Sequence, residues 1–123
     1  MVLVGDTGVG KSCLITNYLF NSYTSVYEPT VLDVYNGERV IDFKSDSSDR
    51  SLTVKIEIHD TSGDDHIGSE RKVVYSGADV FMICVAVDSL ESYYNINKWF
   101  DEIQSVEAEK PIMLILCKSD LED

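Results

Sequence analysis

Short apolar runs along this chain alternate with stretches in which apolar residues recur at helical spacing. Runs typical of buried strands occupy residues 2–4, 79–87 and 112–116, while residues 52–59 alternate apolar and polar side chains with the period of a strand. Strands that alternate with helices predict the α/β class, with a mostly parallel sheet covered by helices on both faces. Right-handed crossovers then predict five strands in the spatial order 2-3-1-4-5, the second antiparallel to the rest.

Two stretches are predicted as helices from the spacing of their apolar residues. The first covers residues 11–21. The second begins at Ser89, a residue type that favours the N-cap position, and anything helical must stop at Pro111. The apolar face of this second, long helix comprises Ile96, Trp99, Phe100, Ile103 and Val106.

The second strand allows two interpretations. Residues 31–35 and 39–43 are both rich in strand-forming side chains. Asn36-Gly37 lies between them and is a typical type I′ hairpin signal. The two runs therefore form either a local hairpin or one bent strand.

Three polar segments connect these elements. Residues 22–30 contain Pro29 and few apolar side chains, which predicts a loop. Residues 45–51 are polar and acidic, and we interpret them as a solvated turn that lengthens the connection to the next strand. Residues 64–77 have only weak periodicity, which indicates a mobile segment or a frayed helix.

Composition narrows the class of protein. The chain has 123 residues, enough for one domain, and a formal net charge of −12, which argues against nucleic acid or anionic lipid as a partner. Cys13, Cys84 and Cys117 lie in apolar patterns and are interpreted as reduced residues of a cytoplasmic protein. The apolar run 80–87 is too short to span a bilayer, and no signal peptide precedes the first strand.

The turn after the first strand has the spacing of a phosphate-binding loop. Gly5 and Gly10 are separated by four residues, and Lys11 and Ser12 follow at the start of the first predicted helix. Glycines let backbone N–H groups turn inward around an anion, and the helix adds the positive end of its dipole. Lys11 would contact the β- and γ-phosphates and the Ser12 hydroxyl would ligate Mg²⁺. The sequence therefore predicts a nucleotide-binding protein.

Polar residues also follow two other predicted strands, at the edge of the sheet where α/β proteins bind ligands. Asp60 ends one strand, where its carboxylate can hold Mg²⁺ through water, and Gly63 could offer its N–H to a terminal phosphate. Lys118 and Asp120 follow the last strand. A carboxylate accepts two hydrogen bonds at once, and guanine presents two such donors together whereas adenine does not.

These motifs, in this order, resemble those of the small GTPases of the Ras superfamily. The resemblance covers nearly the whole chain and implies a P-loop NTPase fold, the G domain. Tyr-x-Pro-Thr-Val and the two stretches 79–84 and 98–103 are similar to the Rho branch, while the phosphate loop is more like the Rab branch. The segments that carry the resemblance are residues 5–12, 27–31, 60–63 and 117–120.

The resemblance also implies roles for individual residues. Thr30 would sense the γ-phosphate and ligate Mg²⁺, Tyr23 would pack on guanine, Tyr27 would close over the phosphates and Lys118 would lie along the base. Nucleotide contacts then fall to Gly8, Val9, Gly10, Lys11, Ser12, Cys13, Tyr23, Tyr27, Thr30, Gly63, Cys117, Lys118 and Asp120. Ligands of Mg²⁺ would be Ser12, Thr30 and Asp60, and catalytic roles would fall to Lys11, Thr30, Gly63 and Asp64.

The chain departs from the family pattern in several ways, among them the following three. Asp64 stands where the family has the glutamine that orients the attacking water, and the only Gln is Gln104. Cys117 replaces an Asn or Thr that ties the base site to the phosphate loop. The third guanine motif, a sixth strand, a closing helix and a lipidated tail are also missing, so we expect residues 1–123 to be a partial G domain.

The leading hypothesis is a GTP- and GDP-binding switch that hydrolyses GTP, slowly because of Asp64. Its switch segments, 23–35 and 60–77, would contact effectors, exchange factors and GTPase-activating proteins, in the cytoplasm or on a membrane reached only through a lipidated tail. An alternative is a GTP-loaded interaction protein with little or no turnover. A small-molecule kinase and a fragment that binds nucleotide poorly are further alternatives.

Overall fold

A computed structural model describes residues 1–20 and 32–121 of the chain. Two short 3₁₀ turns, Asp65–Ile67 and Ser119–Leu121, accompany the longer elements. None of the helices described is both long enough and apolar enough to cross a bilayer. In chain order the elements are β1 (Val2–Gly5), α1 (Lys11–Phe20), β2 (Leu32–Lys44), β3 (Asp49–Thr61), α2 (Gly68–Tyr75), β4 (Phe81–Ala86), α3 (Leu90–Tyr94), α4 (Ile96–Gln104) and β5 (Ile112–Cys117).

The sheet has the predicted topology. Its five strands lie in the order β2-β3-β1-β4-β5, and only the β2–β3 pair is antiparallel. Leu3 in the central strand pairs with Asp60 of β3 on one side and with Met82 of β4 on the other. The carboxyl ends of β1 and β3 therefore meet at the same edge of the sheet, beside the loop that follows β1.

Two apolar cores cover the two faces of the sheet, as expected for an α/β fold. Successive residues of β1 point to opposite faces: Val2 and Val4 face one core and Leu3 faces the other. The first core is completed by residues of α2, β4 and α4, among them Tyr75, Phe81, Ile83, Trp99 and Ile103. The second includes Val9 of the phosphate loop, Ile15 of α1, Ile58, Cys84 and Cys117.

The hairpin alternative at Asn36-Gly37 is wrong. Both residues lie inside β2, a continuous strand of 13 residues, where they pair with Glu57 and Ile56 of β3. A Cβ atom on Gly37 would lie 2.6 Å from the Leu19 Cδ2 atom, so this glycine allows α1 to pack closely on the strand. A long antiparallel ladder and a packed helix here outweigh the local turn preference.

The true turn lies eight residues further on. Ser45 and Ser48 close it through mutual hydrogen bonds, in which the Ser48 N–H donates to the Ser45 hydroxyl over 3.2 Å. Residues 49–51, which we predicted as part of a solvated turn, instead belong to β3. The predicted insertion is therefore an extension of the two strands rather than a long loop.

Two helical predictions also need correction. The expected mobile or frayed segment contains a 3₁₀ turn and α2, which is anchored by the buried side chains of Arg71 and Tyr75. The single long helix after Ser89 is two helices, because Asn95 between α3 and α4 leaves helical geometry. Phe100 is 44% exposed rather than buried, since it lies about 100° around the helix from Trp99.

Candidate functional site

The loop between β1 and α1 has the backbone conformation that its glycines predict. Gly8 and Gly10 have φ values of 81° and 112°, which residues with side chains rarely adopt. A Cβ atom on Gly5 would overlap the carbonyl oxygen of Cys84 in β4. Val9 is only 2% exposed and anchors the loop in the core. The loop is therefore tied to the sheet while its backbone wraps around a central space.

Lys11 closes this loop from within. Its Nζ atom donates to the carbonyl oxygens of Gly5 and Asp6, each over 2.8 Å. Burial lowers the pKa of Lys11 from its usual value, and the nearby carboxylates of Asp60 and Asp6 oppose that shift. A cation that is already desolvated at an anion-binding loop interacts strongly with a phosphate group.

Ser12 and Asp60 bring two oxygen ligands together beside the loop. The Ser12 hydroxyl donates to the Asp60 Oδ2 atom, and Asp60 is fully buried at the end of β3. The neighbouring Thr61 hydroxyl donates to the Leu3 carbonyl over 2.6 Å, which fixes the end of β3 against β1. A hydroxyl and a carboxylate are hard oxygen ligands of the kind that Mg²⁺ prefers.

Gly63 lies directly against the phosphate loop. A Cβ atom at this position would be 2.6 Å from the Gly5 carbonyl oxygen and would also overlap the backbone nitrogen of Thr7. Only glycine permits this close approach. The segment that follows β3 thus contacts the phosphate loop backbone to backbone, as its predicted role at a terminal phosphate requires.

The segment after β5 is more open. Lys118 has a positive φ of 60°, and its Nζ atom lies 3.4 Å from the Asp88 carboxylate. Asp120 is exposed on the 3₁₀ turn that follows. Cys117 lies next to the phosphate loop, because its Cβ atom would be 3.6 Å from a Cβ atom on Gly10. Of the predicted base-binding residues, Cys117 therefore adjoins the phosphate loop, while Lys118 and Asp120 follow it at the carboxyl end of β5.

Comparison with known proteins decides which fold family this arrangement represents. A sequence model of the Ras family matches residues 1–123. The chain belongs to the Ras family. Rho-related GTP-binding proteins RhoV of Rattus norvegicus, Bos taurus and Homo sapiens are 37% identical to it over 123 residues, an alignment that covers 99% of this chain and 49% of theirs.

These comparisons confirm the prediction of a Rho-like member of the Ras superfamily, and the observed sheet and helices agree with its P-loop fold. The chain spans about half the length of the curated relatives it matches.

Of the predicted site residues, Tyr23, Tyr27 and Thr30 lie outside the described residues. The structure brings the others to one edge of the sheet; Cys13, on α1, is half-buried there.

Two positions at which this Ras-family chain departs from the family pattern have defined contacts. The exposed Asp64 carboxylate accepts the His66 N–H over 2.9 Å and so caps the 3₁₀ turn. The Cys117 thiol is in hydrogen-bond contact with Cys84 in the neighbouring strand, which lowers the pKa of Cys117 and, together with burial, raises that of Cys84. At Cys117 the contact with the phosphate loop is apolar packing.

Sequence reasoning missed a polar network behind the phosphate loop. Asp6 accepts hydrogen bonds from the Asn95 amide over 2.7 Å and from the Trp99 indole over 2.8 Å. Arg71 is 2% exposed and is paired with Glu102 of α4. The one signal in the sequence was Asp6, an acidic side chain inside an anion-binding loop. A carboxylate there needs hydrogen-bond donors from elsewhere in the protein, but the sequence pattern does not identify them.

Proposed function

We propose that this protein is a guanine-nucleotide switch that binds GTP and GDP with Mg²⁺ and passes the bound state to signalling partners. The observation that carries the proposal is the contact of Gly63 with the phosphate loop. It supports a role for the segment after β3 beside the terminal phosphate, so that this segment would respond to the presence of that phosphate. GTP and GDP differ in that one group.

The residues around the loop fit a nucleotide with a magnesium ion. Lys11 would neutralise phosphate charge, and backbone N–H groups of residues 8–13 would surround the phosphates. Ser12, Asp60 and Thr30 would hold Mg²⁺, Asp60 through water. When bound, the metal would supply positive charge that stabilises the phosphate oxygens.

Guanine recognition would depend on Asp120, whose carboxylate can accept two N–H donors from the base. Lys118 would lie along the base, and Tyr23 would pack on its other side. Cys117 would contribute apolar contact. The base site is therefore built on the segment after β5, at the same edge of the sheet as Lys11.

Partners would bind through residues 23–35 and 60–77, the two segments that correspond to the family's switches. Effectors would select the GTP-bound state, and exchange factors and GTPase-activating proteins would change it. We place the protein in the cytoplasm, in agreement with the reduced state of Cys13, Cys84 and Cys117, which form no disulfide. Nucleic acid is not a proposed partner, given the net charge of −12.

The proposed enzyme activity is slow GTP hydrolysis. Asp64 follows Gly63 directly, but its side chain carries no N–H donor. Its carboxylate already accepts a hydrogen bond from the His66 N–H. It is therefore poorly suited to orient an attacking water. The same observation favours a second candidate function, in which the protein holds GTP as an interaction module with little or no turnover.

Competition binding tests the proposal. GTP and GDP should displace a fluorescent GDP analogue from the purified protein, whereas ATP and ADP should not. Chelation of Mg²⁺ should weaken binding of the analogue. The variant Lys11→Met should lose most of its affinity, whereas Lys72→Met, which removes an exposed lysine of α2, should not. Equal competition by ATP and GTP would contradict the proposal.

A further inference from the structure

The side chain of Arg71 lies behind Gly63 and holds the backbone on both sides of it. Its Nη1 atom donates to the Ser62 carbonyl over 2.7 Å and to the Asp64 carbonyl over 2.8 Å. Arg71 is 2% exposed, so these hydrogen bonds form away from competing water. The same guanidinium group thus holds both neighbours of Gly63.

The guanidinium group is itself fixed by α4. Its Nε and Nη2 atoms donate to the two carboxylate oxygens of Glu102 over 2.8 and 3.1 Å, the bidentate geometry of a strong ion pair. Its central carbon lies 4.7 Å from the centre of the Trp99 ring. The Tyr75 hydroxyl also donates to Glu102, over 3.3 Å. Arg71 therefore has little freedom to move relative to α4.

Helix α4 also holds the phosphate loop. The Trp99 indole N–H donates to one carboxylate oxygen of Asp6, and the Asn95 amide donates to the other. Trp99 thus contacts Arg71 through its ring face and the phosphate loop through its ring nitrogen. The same helix fixes both the loop and the segment that packs on it.

We propose that Arg71, held by Glu102 and Trp99, is a positioning residue that orients the Gly63 N–H toward the terminal phosphate of a bound nucleoside triphosphate. The Ser62 carbonyl and the Gly63 N–H belong to one trans peptide group, in which they point in opposite directions. Because the Ser62 carbonyl is anchored on Arg71, the Gly63 N–H points away from α2 and α4. Gly63 packs on the phosphate loop, so an N–H in this orientation can donate to an oxygen of the terminal phosphate.

This inference rests on the proposed function and adds a specific energetic consequence. A diphosphate has no terminal group at this position, so its binding does not need an oriented Gly63 N–H. Loss of Arg71 should therefore weaken triphosphate binding selectively. A merely structural role would weaken both ligands alike, because both use Lys11 and the phosphate loop.

The test compares the affinity of each variant for a fluorescent GDP analogue and for a non-hydrolysable GTP analogue. Arg71→Met keeps the apolar stem and removes the donors, and it should lower affinity for the GTP analogue about tenfold while that for GDP stays within about twofold. Arg39→Met is the matched control: Arg39 also lies over an aromatic ring, Tyr18 at 4.2 Å, and donates to backbone carbonyls, but far from Gly63. It should change neither affinity.

Glu102→Gln provides a second test if Arg71→Met does not fold. It removes the charge that fixes Arg71 and leaves the phosphate loop untouched, and it should shift the same affinity ratio in the same direction by a smaller factor. Equal losses for both ligands, or no loss, would overturn the positioning role. If the unmodified protein bound neither nucleotide, the proposed function would fail and this inference with it.

Discussion

The two ends of the candidate site differ in how firmly the protein holds them. At the phosphate end, the buried side chains of Lys11, Asp60 and Arg71 are tied by hydrogen bonds to residues of other elements. At the base end, the Lys118 side chain makes one 3.4 Å hydrogen bond among the described residues, and Asp120 is exposed. The comparison indicates that the phosphate half is organised by the fold itself, whereas the base half has few contacts of its own; under the proposed function it would gain them when a base binds.

The difference follows from where each end lies in the sheet. The phosphate loop follows β1, the central strand, so it can be held from β3 through Thr61 and Leu3 and from α4 through Asp6. The base segment follows β5, which has one neighbour among the described strands. A segment with neighbours on two sides forms more hydrogen bonds and packs more closely than one at an edge.

The largest expected effect is on ligand choice at the base end. Asp120→Asn removes the carboxylate that we assign to guanine and leaves an amide that matches the acceptor of xanthine. The preference for GDP over its xanthine counterpart should change by about a thousandfold or more, while the free energy of unfolding changes by no more than about 0.5 kcal/mol. Competition binding and urea unfolding measure the two quantities.

The control for this prediction is Asp88→Asn, which removes the exposed carboxylate near Lys118 but not the one assigned to the base. It should keep the preference for guanine. A large loss of stability in Asp120→Asn would contradict the comparison, because it would mean that the base end is held as firmly as the phosphate end.

The second prediction concerns the close packing at the phosphate end. Gly63→Ala places a methyl group against the backbone of Gly5, at the end of β1, and of Thr7 in the phosphate loop. Neither backbone segment can move away easily. The free energy of unfolding should fall by about 1–3 kcal/mol, and binding of a GTP analogue should weaken more than binding of GDP. Urea unfolding and competition binding again provide the measurements.

Gly68→Ala is the matched control for Gly63→Ala. Gly68 begins α2 with a φ of −61°, and a Cβ atom there would meet only the Arg71 Nη2 atom at an ordinary 3.5 Å. This change should be neutral or slightly stabilising, since alanine favours the helix. If both variants were equally stable, the phosphate end would be looser than the structure indicates.

The sequence was sufficient to predict the topology, because the sheet depends on patterns that are local and repeated. A continuous apolar run such as Val2, Leu3 and Val4 predicts a strand buried on both faces, and the order of strands and helices limits the possible arrangements. The turn that precedes Lys11 and Ser12 likewise needs only local sequence. The order and directions of the strands were predicted correctly.

Other features depend on contacts between distant residues and could not be predicted from local pattern. Asn36-Gly37 favours a turn, but β3 offers a partner for every residue of β2. Arg71 resembles a solvated residue of a polar helix, and only the positions of Glu102 and Trp99, about thirty residues away, bury it. The segment 64–77 was misjudged because its stability comes from these contacts.

The third prediction tests the role of Asp64 in GTP hydrolysis. Asp64 is the exposed residue that follows Gly63 at the phosphate end. An ionised aspartate lacks the amide donor of glutamine and brings a negative charge near the terminal phosphate; like charges about 4 Å apart repel by about 4 kcal/mol at an effective dielectric of about 20. Asp64→Gln should raise single-turnover GTP hydrolysis by about tenfold or more, and the unmodified protein should favour the GTP-bound form.

The matched control is Asp65→Gln, the same change one residue along, which should leave the hydrolysis rate within about twofold. Loss of the cap on His66 should make Asp64→Gln slightly less stable than the natural protein. An unchanged or lower rate in Asp64→Gln would show that the assignment of Asp64 to the water-orienting position is wrong.

The smallest expected effect concerns a second, exposed ion pair, which joins α4 to the 3₁₀ turn just before α2. Lys98 of α4 pairs with Asp65, and both side chains are exposed. The hydrogen bond and charge of Lys98 lower the pKa of Asp65 from 3.8. A carboxylate with a lowered pKa in the folded state stabilises the fold above pH 3.8, and its contribution disappears as the pH falls through the folded value.

Asp65→Asn should therefore reduce the free energy of unfolding only slightly near neutral pH, less so at high salt, and not at all once the carboxylate is protonated. Glu102→Gln, which breaks the buried pair, should cost more and should retain its effect at high salt, because salt does not reach that site. Urea unfolding of both variants at two salt concentrations measures the difference. Equal salt dependence in the two variants would mean that the pair behind Gly63 is as open to water as the pair on the surface.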